Sequence, residues 1–78
     1  MEIENKVREI VCQQLDVDPD QVKLETSFVE DLGADSLAVV ELVLALEEAF
    51  EIDIPDEDTE TLRTFKDSVE YINSKTSG

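Results

Sequence analysis

Chemistry in this chain has few places to start. It contains no histidine, one cysteine, and 21 carboxylate side chains against six basic ones. The most promising oxygen nucleophile is Ser36, which follows Gly33-Ala34-Asp35. A serine that attacks on its own needs an adjacent base, most often histidine. Ser36 is therefore not a self-activated nucleophile. Asp-Ser is also an ordinary way to begin a helix, with Asp35 as N-cap and its carboxylate beside the unpaired N–H groups. Such a start can seat an anion, so a phosphodiester on Ser36 is compatible with the position. Pattern alone does not identify one. Cys12 points away from the Ile3/Val7/Ile10/Val11 face of its helix and has only Arg8 as a cationic neighbour. An exposed, ordinary thiol is expected there. Nothing is set up for general acid–base catalysis, and the chain is not expected to be an enzyme.

Charge narrows the partners. The net charge is −15 over 78 residues. Nucleic acid and anionic membrane surfaces are repelled by such a chain, because both require cations on the protein. A protein with a basic docking patch is attracted, and found faster through electrostatic steering. The charge is also uneven: between Lys23 and Arg63 there is no Lys or Arg, and that stretch holds 13 Asp and Glu. A purely solubilising surface more often mixes both signs. One cysteine cannot form an internal disulfide, so a reducing compartment is expected. Met-Glu-Ile-Glu at the start carries no signal-peptide pattern. The longest apolar run, Leu42 to Leu46, is far too short for a membrane span. A monomeric cytoplasmic protein is expected, or one in an organelle stroma or matrix if a transit peptide was removed.

The elements that must position Ser36 follow from periodicity. This length makes one domain, spanning 1–78, which buries only about 60% of its unfolded surface. A first helix is predicted over 3–15, where Ile3, Val7, Ile10 and Val11 fall within an arc of about 100°. Asp16 to Asp20, with Pro19, breaks it. A long connection then runs to Asp35. It holds Val22, Leu24, Phe28 and Leu32 and is expected to pack on the core; an unstructured loop of that length would be unusual. A second helix is predicted from Ser36 to Phe50, ended by Ile52-Asp53-Ile54-Pro55. A short third spans Asp56 to Thr61, and a last one, marked by Phe65, Val69 and Ile72, covers 65–74. Ser77-Gly78 should fray. The predicted fold is all-α: a small four-helix bundle, three main helices and one short, with a long loop between the first and second.

Two apolar stripes run along the second helix. Val39, Leu42, Val43, Leu46 and Phe50 share one side and form the predicted core face. Leu37, Val40 and Leu44 form another, about 150–180° away, with Val40 pointing between the two. Glu41, Glu47 and Glu48 interleave with the second stripe. A core helix needs one apolar face. A second, framed by carboxylates, reads as a docking surface whose apolar anchors give affinity and whose acids give steering. The competing reading is that a small bundle surrounds the helix and buries both sides.

Residues 28–37, Phe28-Val29-Glu30-Asp31-Leu32-Gly33-Ala34-Asp35-Ser36-Leu37, resemble the signature segment of bacterial and plastid-type acyl carrier proteins. The likeness continues through Val40-Glu41-Leu42-Val43, Ala45-Leu46-Glu47-Glu48, Ile54-Pro55-Asp56-Glu57 and Tyr71-Ile72, so it covers nearly the whole chain. The resemblance implies that Ser36, flanked by Asp35 and Leu37, receives 4′-phosphopantetheine from coenzyme A through a separate phosphopantetheinyl transferase. It implies a carrier that holds acyl groups as thioesters and presents them to the enzymes of fatty acid synthesis. On the same basis Leu37, Val40, Glu41, Leu44, Glu47 and Glu48 are the partner-binding face. Phe28, Leu46, Ile54, Leu62 and Val69 are the expected lining of an acyl-chain pocket. Ala38 departs from the pattern, since many fatty-acid-type members carry an acid there; one charge fewer would bear on partner preference or on cations nearby. A carrier for a specialised polyketide or other acyl-transfer pathway is the nearest alternative.

Rival readings are weaker. Asp16-Val17-Asp18-Pro19-Asp20 imitates the start of an EF-hand loop, but the sixth position is Gln21 instead of Gly and the twelfth is Ser27 instead of Glu. No specific metal site is expected. Loose cation binding by Glu30, Asp31 and Asp35, or by Glu47, Glu51, Asp53 and Asp56, is the milder version. An acidic mimic of nucleic acid is allowed by charge alone, but the apolar stripe does not favour it.

Overall fold

The computed structural model describes residues 2–76, so the expected fraying of Ser77 and Gly78 lies outside the described residues. Four helices follow in order: α1 (Glu2–Leu15), α2 (Ser36–Phe50), α3 (Asp56–Thr59) and α4 (Phe65–Thr76). A single 3₁₀ turn, Pro19–Gln21, sits in the connection after α1. Among the described residues no strand forms; Ser27 and Thr64 make one isolated antiparallel bridge. The predicted all-α bundle with a long α1–α2 loop is the fold found. α3 stops two residues before the predicted end, and α4 runs two residues further than its apolar spacing marks.

Val7 and Val11 of α1, Leu42, Val43 and Leu46 of α2, and Phe65, Val69 and Ile72 of α4 meet in one core. Ile3 and Ile10 are only partly buried at its edge, as are Val39 and Phe50. The narrow α1 stripe therefore contributes two full core residues, consistent with a small domain that has little interior. Arg8 ties three elements together at that edge. Its Nε donates to the Val22 carbonyl (3.1 Å), its guanidinium lies 4.9 Å from the centre of the Phe65 ring, and it pairs with Glu4 one turn back (3.3 Å). The cation–π contact adds to packing because the arginine stem is already half-buried.

The long connection is fastened to the segment before α4. Phe28 N–H donates to Arg63 O (3.0 Å), Phe65 N–H to Thr26 O (2.9 Å) and Lys66 N–H to Leu24 O (2.9 Å). Val22 and Phe28 insert into the core and Leu32 packs against it, as their apolar character predicts. Leu24 does not: it is 43% exposed, because its backbone pairs with Lys66 while its side chain faces outward. Thr64 and Asp67 exchange side-chain to backbone hydrogen bonds (3.2 and 3.1 Å) at the start of α4, a reciprocal cap.

Cys12 corrects an expectation. The thiol is half-buried and packs against the core instead of standing exposed. Burial pushes its pKa above the ordinary thiol value; Arg8 opposes the shift and Asp18 adds to it. The helix wheel placed Cys12 off the apolar face correctly but took no account of the 3₁₀ turn folded back beside it, where Pro19 shares a shallow groove with Cys12 and Arg8.

Both α1 and α2 end on non-glycine residues in the left-handed region, Asp16 (φ 55°) and Glu51 (φ 54°). Val17 N–H reaches back to Cys12 O (3.2 Å) and Ile52 N–H to Glu47 O (3.1 Å), the long 6→1 bond of a Schellman ending. Asp tolerates this conformation better than Glu. Glu51→Gly should therefore stabilise the fold by about 0.5–1 kcal/mol, the relieved strain exceeding the added chain entropy. Urea unfolding at fixed ionic strength checks this. Asp16→Gly should gain less.

Tyr71 on α4 donates its hydroxyl to Asp58 Oδ2 on α3 at 2.7 Å. Its pKa is pushed up to about 12, first by burial, then by that hydrogen bond and by the negative charges of Asp58, Asp53 and Glu47. The folded chain thus keeps a proton that the unfolded chain gives up near pH 10. This contribution to stability is whole below pH 10 and is lost as the pH climbs towards 12. Tyr71 is the sole tyrosine and tryptophan is absent, so absorbance of the phenolate reports this group alone. The native titration midpoint should lie well above the midpoint in urea.

Candidate functional site

Ser36 is placed by the turn before it. Gly33 takes φ +70°, a conformation that costs an ordinary side chain about 1–2 kcal/mol. No atom lies within 4 Å of where its Cβ would stand, so backbone conformation, not space, is what calls for glycine. The turn lets Ala34 N–H bond to Phe28 O (2.9 Å) and Asp35 take the extended N-cap conformation. Asp35 Oδ1 then accepts from Ala38 N–H at 2.8 Å, and Asp35 O accepts from Val39 N–H at 3.0 Å. The N–H groups of Ser36 and Leu37 have no hydrogen-bond partner among the described residues. Ser36 is exposed, and α2 has no acid in its first turn. Ala38 is partly buried against the core.

Leu37, Val40 and Leu44 are 65%, 49% and 54% exposed. These values remove the reading in which the bundle buries both sides of α2. Glu41 and Glu48 are exposed beside them and Glu47 is half-buried. The opposite face, Leu42, Val43 and Leu46, is buried.

A cleft of about 710 Å³ begins at Ser36 and runs along α2 to Glu47. Its floor is Val39 and Val43 of the core face, with Val40 and Leu44 of the exposed stripe at the edge and Ile54 beyond. The far wall is α3 and its end, through Asp56, Thr59 and Glu60. Val29 and Ala34 complete it near the serine. Four carboxylates, Asp35, Glu47, Asp56 and Glu60, stand around this apolar trough, and none of its lining residues is basic.

Of the five residues expected to line an acyl pocket, only Ile54 lies on this cleft. Leu62 borders a smaller hollow of about 300 Å³, which Val29 and Val39 also line. Phe28, Leu46 and Val69 are buried in the core and border neither. Sequence reasoning gave Val39 and Val43 to the core face alone and assigned no site role to Val29, Thr59 or Glu60. Val43 carried a usable signal, since it sits at the edge of the core face nearest Val40, whereas Val39 sits at the middle of that face. Thr59 and Glu60 carried none.

The EF-hand imitation does not form a loop: Pro19–Gln21 is a 3₁₀ turn, and Asp18 is held at its cap by Gln21 Oε1, which accepts from Asp18 N–H at 3.0 Å. Among the described residues no three carboxylates or other metal-ligating side chains are grouped to hold a metal ion.

A 4′-phosphopantetheine on Ser36 would meet what its chemistry requires. Two free N–H groups at the positive end of a helix suit the phosphodiester, and an apolar trough starts at the same residue. The family model described as phosphopantetheine attachment site matches residues 5–72, which defines the class as domains that bear this group. Among curated proteins, the acyl carrier protein of Bdellovibrio bacteriovorus is 56% identical over 75 residues, covering 96% of each chain. That of Wolinella succinogenes is 57% identical over 74 residues, covering 95% of this chain and 97% of its own. The chain belongs to the acyl carrier protein family, whose members hold 4′-phosphopantetheine covalently and are carriers, not enzymes. No helix among the described residues is long and apolar enough to cross a membrane.

Proposed function

We propose that Ser36 is the attachment point of 4′-phosphopantetheine and that the chain carries acyl intermediates for fatty acid synthesis as a single carrier domain in the cytoplasm. The group, when bound, supplies a terminal thiol that holds acyl chains as thioesters. One observation carries the assignment: Ser36 is exposed at a helix start with two N–H groups unpaired among the described residues and opens onto an apolar cleft of about 710 Å³. Asp35 fixes the start of α2 by capping Ala38, and the Ser36 and Leu37 N–H groups would be available to hold the phosphodiester. The transferase supplies the base, which accounts for a modifiable serine in a chain without histidine.

Leu37, Val40 and Leu44 supply apolar contact to the partner enzymes, and Glu41, Glu47 and Glu48 meet their basic patches. The cleft beside α2 shelters the acyl chain, with Val39, Val43 and Ile54 as its floor and end. Incubation with coenzyme A and a broad-specificity phosphopantetheinyl transferase should add one phosphopantetheine. Fragment mapping should place it on the peptide containing Ser36. An unchanged mass, or an addition on another residue, would overturn the assignment.

A further inference from the structure

The cleft depends on its least secured wall. α3 has four residues, none of them buried, and its N-cap Pro55 offers no side-chain hydrogen bond. Its first turn is three consecutive acids, Asp56, Glu57 and Asp58. The flanking Ile54 and Leu62 are buried and anchor the segment at both ends. Between them, Thr59 and Thr61 make only local hydrogen bonds. Among the described residues, the one hydrogen bond from this segment to another element is Tyr71 Oη to Asp58 Oδ2, at 2.7 Å.

Electrostatics works against that wall. Asp56 and Glu60 on the α3 side share the cleft with Glu47 on α2, and no basic residue lines it to offset the like charges. Repulsion among them pushes α3 away from α2. Tyr71 opposes this from behind, using a neutral donor in the field of Asp58, Asp53 and Glu47.

We propose that Tyr71 is a positioning residue: through Asp58 it holds α3 as the wall of the cleft and so keeps the apolar trough closed around a chain carried on the arm. The proposal rests on Ser36 being the attachment point, in that the arm must begin at the mouth of this cleft.

The test uses the full chain as wild type, Tyr71→Phe, Asp58→Asn and Asp58→Ala. On unloaded protein, amide–water exchange is measured by NMR for Thr59, Thr61 and Leu62, and for amides of α1 and α2. Tyr71→Phe should speed exchange of the first set by about fivefold, as expected for loss of one hydrogen bond. The α1 and α2 amides should change by less than about twofold on the same scale. Asp58→Ala should match Tyr71→Phe, whereas Asp58→Asn, whose amide oxygen still accepts, should stay near wild type. In the second arm Ser36 is loaded with a pantetheine analogue ending in an alkyl-linked solvatochromic dye. Emission should be blue-shifted in wild type and Asp58→Asn, and red-shifted in the other two. Unchanged exchange, a uniform rise through the core amides, an Asn variant that behaves like Ala, or equal emission in all four would overturn the proposal. A chain that fails to take up the dye while the amides respond as described counts against Ser36 as the attachment point and leaves the role of Tyr71 supported.

Discussion

Ser36→Ala should abolish loading with phosphopantetheine altogether while leaving the fold in place. The loss is all or none because one oxygen is the acceptor and the chain offers no equivalent at the same helix start. The neighbouring threonines and serines stand elsewhere: Ser27 Oγ accepts from Glu30 N–H, and Ser68 Oγ is buried and donates to Phe65 O (2.7 Å). Removing the Ser36 hydroxyl costs little stability, since it is exposed and makes no hydrogen bond among the described residues. Asp35 remains to cap Ala38. The expected change in unfolding free energy is within about 0.5 kcal/mol. Asp35→Ala is the informative contrast. It leaves the acceptor oxygen but removes the cap, and should cost about 1 kcal/mol and fray the helix start that presents Ser36. Intact mass after the transferase reaction, alongside urea unfolding, separates the two. A loaded Ser36→Ala protein would sink the assignment, and an unloaded one that has also unfolded would not support it.

The parts of the fold visible in the sequence were those with strong local periodicity or strong caps. α2 begins at Ser36 and ends at Phe50, as read from the Asp35 cap and from Ile52-Asp53-Ile54-Pro55. The exposed stripe was legible because Leu37, Val40 and Leu44 recur at helical spacing on a side the core does not need. What was hidden depends on elements facing each other. A helix wheel gives the direction of Val43 but not that Ile54 and Thr59 stand across from it, so the cleft floor was assigned wholly to the core. α3 has four residues and no apolar period, too short to show which side it turns to the cleft. Phe28 and Leu46 are apolar and adjacent to the motif, yet their burial of 1% exposure each puts them behind the cleft rather than on it. Cys12 failed in the same way: its direction on α1 was correct, and the chain returning at Pro19 buried it.

That exposed stripe sets the second large effect. Leu37→Ala removes the most exposed of the three apolar anchors, at 65%. Glu41→Lys reverses a charge on the same face, where α2 carries no basic residue in its last turn and none in its sequence. Neither side chain supports the core, so circular dichroism and the urea midpoint should stay near wild type. Binding to an enzyme with a basic docking patch should weaken by about tenfold for Leu37→Ala, the scale of a truncated interface anchor worth 1–2 kcal/mol. Glu41→Lys should weaken it by a similar factor at low salt, mainly by slowing association. The two losses differ in their response to ionic strength. Near 0.5 M salt the Debye length falls to about 4 Å, so the Glu41→Lys defect should shrink while the Leu37→Ala defect persists. Association rates measured against immobilised synthase or transferase across a salt series read this directly. If both defects vanished with salt, the stripe would be steering the partner by charge alone. If neither did, Glu41 would be making a close contact and not contributing to a field.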